Sequence, residues 1–449
     1  MSKYRRIIGF LILVFAVQLF GQSDALQIHG FISQGFMVSD ENNFLGKTED
    51  GTFEFNEFGI NFSTELSNEF HVGLQLFARD LGYLGNDEVT VDWAYGDYRW
   101  KNWLGIRAGK IKMPLGLYNE YRDLDLARTS IFMPQGVYNE TWRSTFNAIK
   151  GLGIYGSINT GVLGTFNYQG QVGALSVSTK DGLNKYIEEQ LFAKFETYHL
   201  STTYIGHLNW ETPLPGLKLA GSTFMMDGLD AEGYTEDTEF WRNQSIGVAT
   251  MLSDQLSLPM PTSYEEAQQI FALSGMDLNL VNRYVVQSID NIKGYWISGE
   301  FTWNRIHLAG ETFMLNTEIT TVSPGYGAAI DPNMETLRAT SDAELGGFYG
   351  QVGYQVTDAF AASIYYSEYY PDKKDKDGDW WEGLGLAASN AWIKDTAVSL
   401  RYDLNNHWTV KAEGHFMDGT AVMYWHDQDD PANAKQNWML FAGKLTYNF

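Results

Sequence analysis

The 449-residue chain contains no cysteine, which removes disulfides, thiolate metal sites and a cysteine nucleophile together. Proline is scarce, 10 residues against 45 glycines, while Tyr, Phe and Trp number 26, 27 and 14. That profile favours strands and tight turns. Beyond the N-terminus no uncharged apolar run approaches the roughly 18 residues of a membrane helix, and mean hydropathy is -0.26. Positive charge is also short: 31 Lys plus Arg face 55 Asp plus Glu, a net charge of -24. Such acidity argues against nucleic acid as a partner. The eight histidines are scattered and none sits in a nucleophile motif.

The N-terminus is organised differently. Lys3, Arg5 and Arg6 precede an uncharged run from Ile7 to Phe20, and the small residues Gly21, Ser23 and Ala25 follow. This is the pattern of a secretory signal peptide, expected over 1–23 with cleavage after 23 or 25. Its removal takes three basic residues and leaves a mature chain, 26–449, of net charge about -27.

Throughout the mature chain, apolar side chains alternate with polar or small ones. Phe58, Ile60, Phe62, Thr64 and Leu66 share one face with Asn61, Ser63 and Glu65 on the other; Tyr295, Ile297, Gly299, Phe301 and Trp303 alternate with Ser298, Glu300 and Thr302. In a membrane barrel the apolar set faces lipid and the polar set lines the lumen. Aromatic residues at the strand ends suit a membrane interface. Short turns alternate with long connections, and sixteen strands are expected, the eighth over 198–208, the ninth over 217–225, the tenth over 294–303 and the twelfth over 347–356. An even count closes an up-and-down barrel without an open edge in lipid. A long external loop is expected over 227–293, with Ser263-x-x-Glu266 as a capping box opening a helix.

One stretch breaks the rhythm. From Arg107 to Arg143 a strand runs into Pro114 and Gly116 and then into charges of both signs. Residues 114–147 are expected to fold inward as a constriction loop, where low-dielectric walls focus the field of lumen charges. Alternation turns Arg79 inward, with Arg99 and Arg107, as a basic wall across three strands. Lys110 and Lys112 have the opposite parity, and only a bulge near Gly109 would turn them inward. Opposite the wall the loop offers Glu120, Asp123, Asp125 and Glu140 with Arg122, Arg128 and Arg143. Two readings stand: a transverse field that filters solutes, or charges that pair to hold the loop on the wall. Glu65, Glu300, Glu311, Asp403 and Glu413 on the lumen side weigh against a purely anion-selective pore. Asp375-x-Asp377-Gly378 lacks the ligand spacing of a calcium loop and reads as a solvated external loop. No metal or cofactor is expected.

The last strand, NWMLFAGKLTYNF, ends on Tyr447 and Phe449 and resembles the C-terminal assembly signal of Gram-negative outer-membrane barrels, which implies the barrel-assembly machinery as a partner. Val91 to Gly116 resembles the strand pair of the phosphate-selective porin O/P superfamily, with Arg107, Gly109, Lys112, Pro114 and Gly116 at the positions of R-x-G-x-x-K-x-P-x-G. The resemblance implies a 16-stranded all-β transmembrane barrel, usually a homotrimer, whose third external loop dips into the pore. The expected function is an outer-membrane porin for passive diffusion of small hydrophilic solutes or ions, in contact with lipid and lipopolysaccharide. The alternatives are an anion- or phosphate-selective channel, a barrel hydrolase with a Ser-His dyad, and a plugged structural or adhesive barrel.

Overall fold

Seventeen strand segments form one antiparallel sheet that closes on itself. They are β1 (Gln27–Ser39), β2 (Phe55–Glu65), β3 (Phe70–Leu81), β4 (Thr90–Lys101), β5 (Leu104–Lys112), β6 (Ala148–Asn159), β7 (Thr165–Leu175), β8 (Ala193–Leu200), β9 (Thr203–Glu211), β10 (Leu217–Thr235), β11 (Val285–Trp303), β12 (Ile306–Ser323), β13 (Leu337–Gln355), β14 (Phe360–Tyr370), β15 (Ile393–Asp403), β16 (Trp408–Gly419) and β17 (Asn437–Asn448). The computed structural model describes residues 26–191, 193–235, 239–275, 285–323, 337–383, 385–430 and 433–449. The expected signal peptide lies outside the described residues.

β8 and β9 lie end to end against β10, so the ring has sixteen staves. The eighth stave, expected as one strand over 198–208, is interrupted at Ser201, whose amide donates to the Gly228 carbonyl (3.0 Å) while its hydroxyl accepts from the Gly228 amide (2.8 Å). A helix, α1 (Gly182–Leu191), sits beside β8, and its Glu188 accepts from the Phe195 amide at 2.9 Å. It lies in the connection ahead of the stave expected over 198–208.

The middle of the barrel departs further from expectation. β10, β11 and β13 are 19 residues long and β12 is 18, so the 227–293 loop begins and ends as strand. At about 3.3 Å per residue and a tilt near 45° such strands rise about 45 Å, beyond the hydrocarbon layer. Their outer halves, such as LNTEITTVS, carry little lipid-facing apolar signal because they stand in water. Between them lie α2 (Glu239–Leu256) and α3 (Tyr264–Ser274), which pack on one another through Ala249, Leu252, Ala267, Ile270 and Phe271. Ser263 caps α3 by accepting from the Glu266 amide, while the Glu266 carboxylate accepts from the Thr262 amide (2.7 Å) and hydroxyl (2.8 Å).

Apolar residues such as Ile28, Ile32, Ile297, Val352 and Phe441 are exposed on the outer face, and Trp100, Trp103, Trp303, Trp408 and Tyr447 gather beside the short turns. That is a lipid-facing band with an aromatic rim. Inside, at the long-loop end, buried Met37, Phe55, Met113, Phe224, Phe313 and Leu440 belong to one apolar band contributed by staves around the ring.

The seam is β1 on β17, where Gly30 and Phe449 exchange two backbone hydrogen bonds of 3.0 Å. Tyr447 packs on Trp408 at 4.8 Å. Deleting Phe449 opens that pair, and the expected outcome is a smaller fraction of heat-modifiable, compact barrel on unheated gel electrophoresis. A Phe441→Leu variant, changed mid-strand on the lipid face, is expected to fold as the parent does.

Candidate functional site

The connection between β5 and β6, residues 113–147, is tied at its neck. The Met113 amide donates to the Asn147 carbonyl (2.9 Å), and the Asn119 side chain bridges the Met113 and Phe146 carbonyls at 2.9 and 2.8 Å. Gly116 has φ +63°, and a Cβ there would stand 2.6 Å from the Glu311 carboxylate and 2.7 Å from the Tyr138 hydroxyl. Only glycine fits that crossing. Its amide donates to Ser222 on β10 (3.0 Å), and the next amide, Leu117, donates to Glu311 on β12 (2.7 Å).

The segment then bonds to staves well around the ring from its own. Glu413 on β16 accepts from the Ile131 and Phe132 amides at 2.7 and 3.0 Å, and His415 stands 3.0 Å from both Glu413 and Asp395. The Lys411 ammonium uses three donors on the Asp125 carboxylate (2.9 Å), the Asp125 carbonyl (2.7 Å) and the Ser130 carbonyl (3.0 Å). Thr446 on β17 and Arg401 on β15 add bonds to the Asp125 carboxylate and the Leu126 carbonyl at 2.7 and 2.6 Å.

Two clusters hold the near side. Asp123 pairs with Lys112 and Arg143, and Asp92 takes a second bond from each at 3.1 and 3.3 Å. Glu140 sits between Arg79 (2.5 Å) and Arg122 (3.2 Å). Arg107 pairs with Asp97 at 2.9 Å, Glu120 accepts from Gln169 at 2.8 Å, and Arg128 lies 3.9 Å from Asp125. Burial alone would raise the Glu140 carboxyl, but the Arg122, Arg79 and Arg143 guanidiniums outweigh it and hold the pKa at about 2. Asp123 is likewise buried and held well below the carboxylate range by Arg143 and Lys112, and Asp125 by Lys411 and Lys444. Glu120 is raised instead, because burial outweighs Gln169 and Arg107.

Ten of the twelve charges picked from the sequence therefore meet around this segment. Arg99 is exposed, 5.9 Å from the Tyr155 ring, and Lys110 stays at the wall on the Val91 carbonyl (2.6 Å). The expected basic wall is not a free one, since Arg79 and Arg107 each carry a carboxylate partner. Lys112 does turn inward against the parity of Arg107, and Gly109 between them has φ +136° while the register runs on unbroken. Asp92, Asp97 and Glu57, the last 2.5 Å from Lys444, were not picked. Asp92 has the outward parity of its strand; a register shift between Gln75 and Leu76 turns it in, and that shift leaves no mark in the alternation.

Between the segment and the wall of β11 to β15 lies a cavity of about 490 Å³ reaching the short turns at Asn304 and Gln355. Farther up the staves only about 40 Å³ remains beside Trp142, Phe146, Trp296 and Phe313.

Glu140→Gln leaves two buried guanidiniums short of a charge, at a cost of about 3–5 kcal/mol. Limited proteolysis of the folded barrel is expected to cut within 113–147 at a rate raised by an order of magnitude or more, with the barrel intact. The pH dependence has a definite sign: a carboxyl at about 2 in the fold against 4.5 ordinarily gives stability that is full above 4.5 and is lost as pH falls through about 2. Protection of the segment from an acid-active protease is expected to hold at pH 5 and fall steeply below pH 3, and in Glu140→Gln to be low at both.

No family model matches the chain, and no curated protein matches it. Solved structures do. The outer-membrane channel DcaP of Acinetobacter baumannii aligns over 95% of this chain and 99% of its own, with TM-score 0.52 at 9% identity. The anion-selective porin of Comamonas acidovorans aligns over 95% and 99%, with TM-score 0.51 at 10% identity. Salmonella typhi OmpF aligns over 94% and 97%, with TM-score 0.51 at 11% identity. The chain has the fold of these outer-membrane porins, a closed antiparallel barrel of sixteen staves.

Proposed function

We propose that the chain is a passive channel of the Gram-negative outer membrane for small hydrophilic solutes or ions. In this reading residues 114–147 cross the lumen and set the width and charge of the passage. The observation that carries it is the placement of that segment's hydrogen bonds on Glu311, Arg401, Lys411, Glu413 and Thr446, polar side chains on the inner faces of four other staves. A segment bonded to several inner faces narrows the bore between them. Most of the charges first assigned to selectivity hold the segment in place, and the filter falls to those that line the open cavity. A homotrimer surrounded by lipid and lipopolysaccharide belongs to the same proposal.

A hydrolase has one point in its favour, a 2.9 Å contact between Ser222 and His207. That pair is spent on structure. The Ser222 oxygen also accepts from Gly116, the hydroxyl is buried, and it lines neither cavity described above.

Reconstitution in a planar bilayer tests the reading. Stepwise ohmic conductance is expected, and deletion of 119–142 is expected to raise it severalfold, since conductance follows the cross-section of the narrowest point. Reversal potential in a salt gradient is expected to move with Arg401→Gln, which lines the open cavity, and to stay nearly fixed with Arg107→Ala, which lies outside that lining. Protein that carries no current but cleaves an ester, and loses that cleavage in Ser222→Ala, would sink the channel in favour of the hydrolase.

A further inference from the structure

The 490 Å³ cavity is two-faced in a way that a general hydrophilic pore does not require. Its lining includes Arg122, Arg128, Arg305, Arg401 and His307, and no carboxylate. The acids Glu140, Asp125, Asp358 and Asp403 pair with the four arginines, and Glu300 stands 3.6 Å from His307, all from outside the lining. Arg305 lies 3.7 Å from Asp358 with about half of its side chain exposed, so it retains free donors.

The apolar part of the lining comes from the β5–β6 segment, which also carries Arg122 and Arg128, opposite Arg305 and Arg401 on the wall. Tyr121, Leu124 and Leu126 are 56%, 47% and 44% exposed, yet they line this cavity and do not face lipid. Apolar side chains left in an aqueous lumen forgo the burial that the rest of the segment obtains, and contact with a solute restores it. The volume is in the range of sites that enclose a small organic molecule.

We propose that this cavity selects small organic anions that carry an apolar body, the anionic group meeting Arg305 and Arg401 and the body lying on Tyr121, Leu124 and Leu126. The proposal rests on the channel reading and names its solute class. Guanidinium groups suit a carboxylate because they offer parallel donors to two oxygens.

The test uses the full-length barrel in a planar bilayer, with benzoate, acetate or benzylamine added on the short-turn side. Benzoate has both features, acetate lacks the apolar body, and benzylamine reverses the charge. Benzoate is expected to reduce the ionic current saturably, and the other two to leave it unchanged over the same range. Arg305→Gln is expected to raise the half-saturating benzoate concentration about threefold, the effect of removing one exposed cation. Tyr121→Ser is expected to raise it at least as much through lost apolar contact. Lys101→Gln, at a turn on other staves, is expected to leave it unchanged. Both sites are exposed, and gel mobility of the unheated protein checks that the barrel has formed. Equal inhibition by acetate or benzylamine, or half-saturation unmoved by both variants, overturns the proposal while the channel reading stands. Absence of current overturns the channel reading itself.

Discussion

A backbone amide in hydrocarbon has no water to turn to, and this one constraint organises the molecule. It forbids an open sheet edge, so the first strand must find the last. Gly30 and Phe449 meet because of it, and the count of staves must be even for the strand directions to agree at the seam. The broken eighth stave shows a milder form of the same demand, since β8 pairs with the outer half of β10. Where β7 ends and β8 loses that neighbour, α1 stands beside β8 and the Glu188 side chain supplies an acceptor to Phe195.

Closure creates an inside that is neither lipid nor bulk water, and the 113–147 segment bonds to side chains of β10, β12, β15, β16 and β17. Its bonds to the wall are charge-assisted: Lys411 and Thr446 on Asp125, Glu413 on two amides, and Arg79 on Glu140. Desolvation offsets much of the attraction in such pairs, so their net contribution to stability is modest. What they supply is position. Asp125 and Glu140 of the segment are met by Lys411, Thr446 and Arg79 at fixed heights on three staves, and sliding the segment would strand several buried charges at once. A segment held this way keeps a constant gap between itself and the β11–β15 wall, as a passive filter needs.

The fold was legible because lipid imposes a period of two on every stave it touches. It became illegible where that solvent stops: the outer halves of β10 to β13 stand in water and read as loop. The site was legible in part for the same reason. Arg79 and Arg107 follow the parity of their strands, whereas Lys112 and Asp92 lie beyond a glycine of positive φ and a register shift, which alternation does not register. Pairing partners brought together by closure, such as Lys444 with Glu57 at a separation of 387 residues, leave no local pattern.

Net charge and local field point in opposite directions here. The chain carries 55 acidic residues against 31 basic, yet no acidic residue lines the 490 Å³ cavity, which four arginines help to wall. Charges separated by more than about 8–10 Å of electrolyte are screened from one another, so acidic loops outside the barrel do little to the potential inside it. Those loops keep the outer surface soluble and hydrated. The inner field is set by which end of each ion pair faces the bore, and in this cavity it is the cationic end. Composition therefore describes what the protein meets at its surface, and the orientation of a few pairs sets the field inside its cavity.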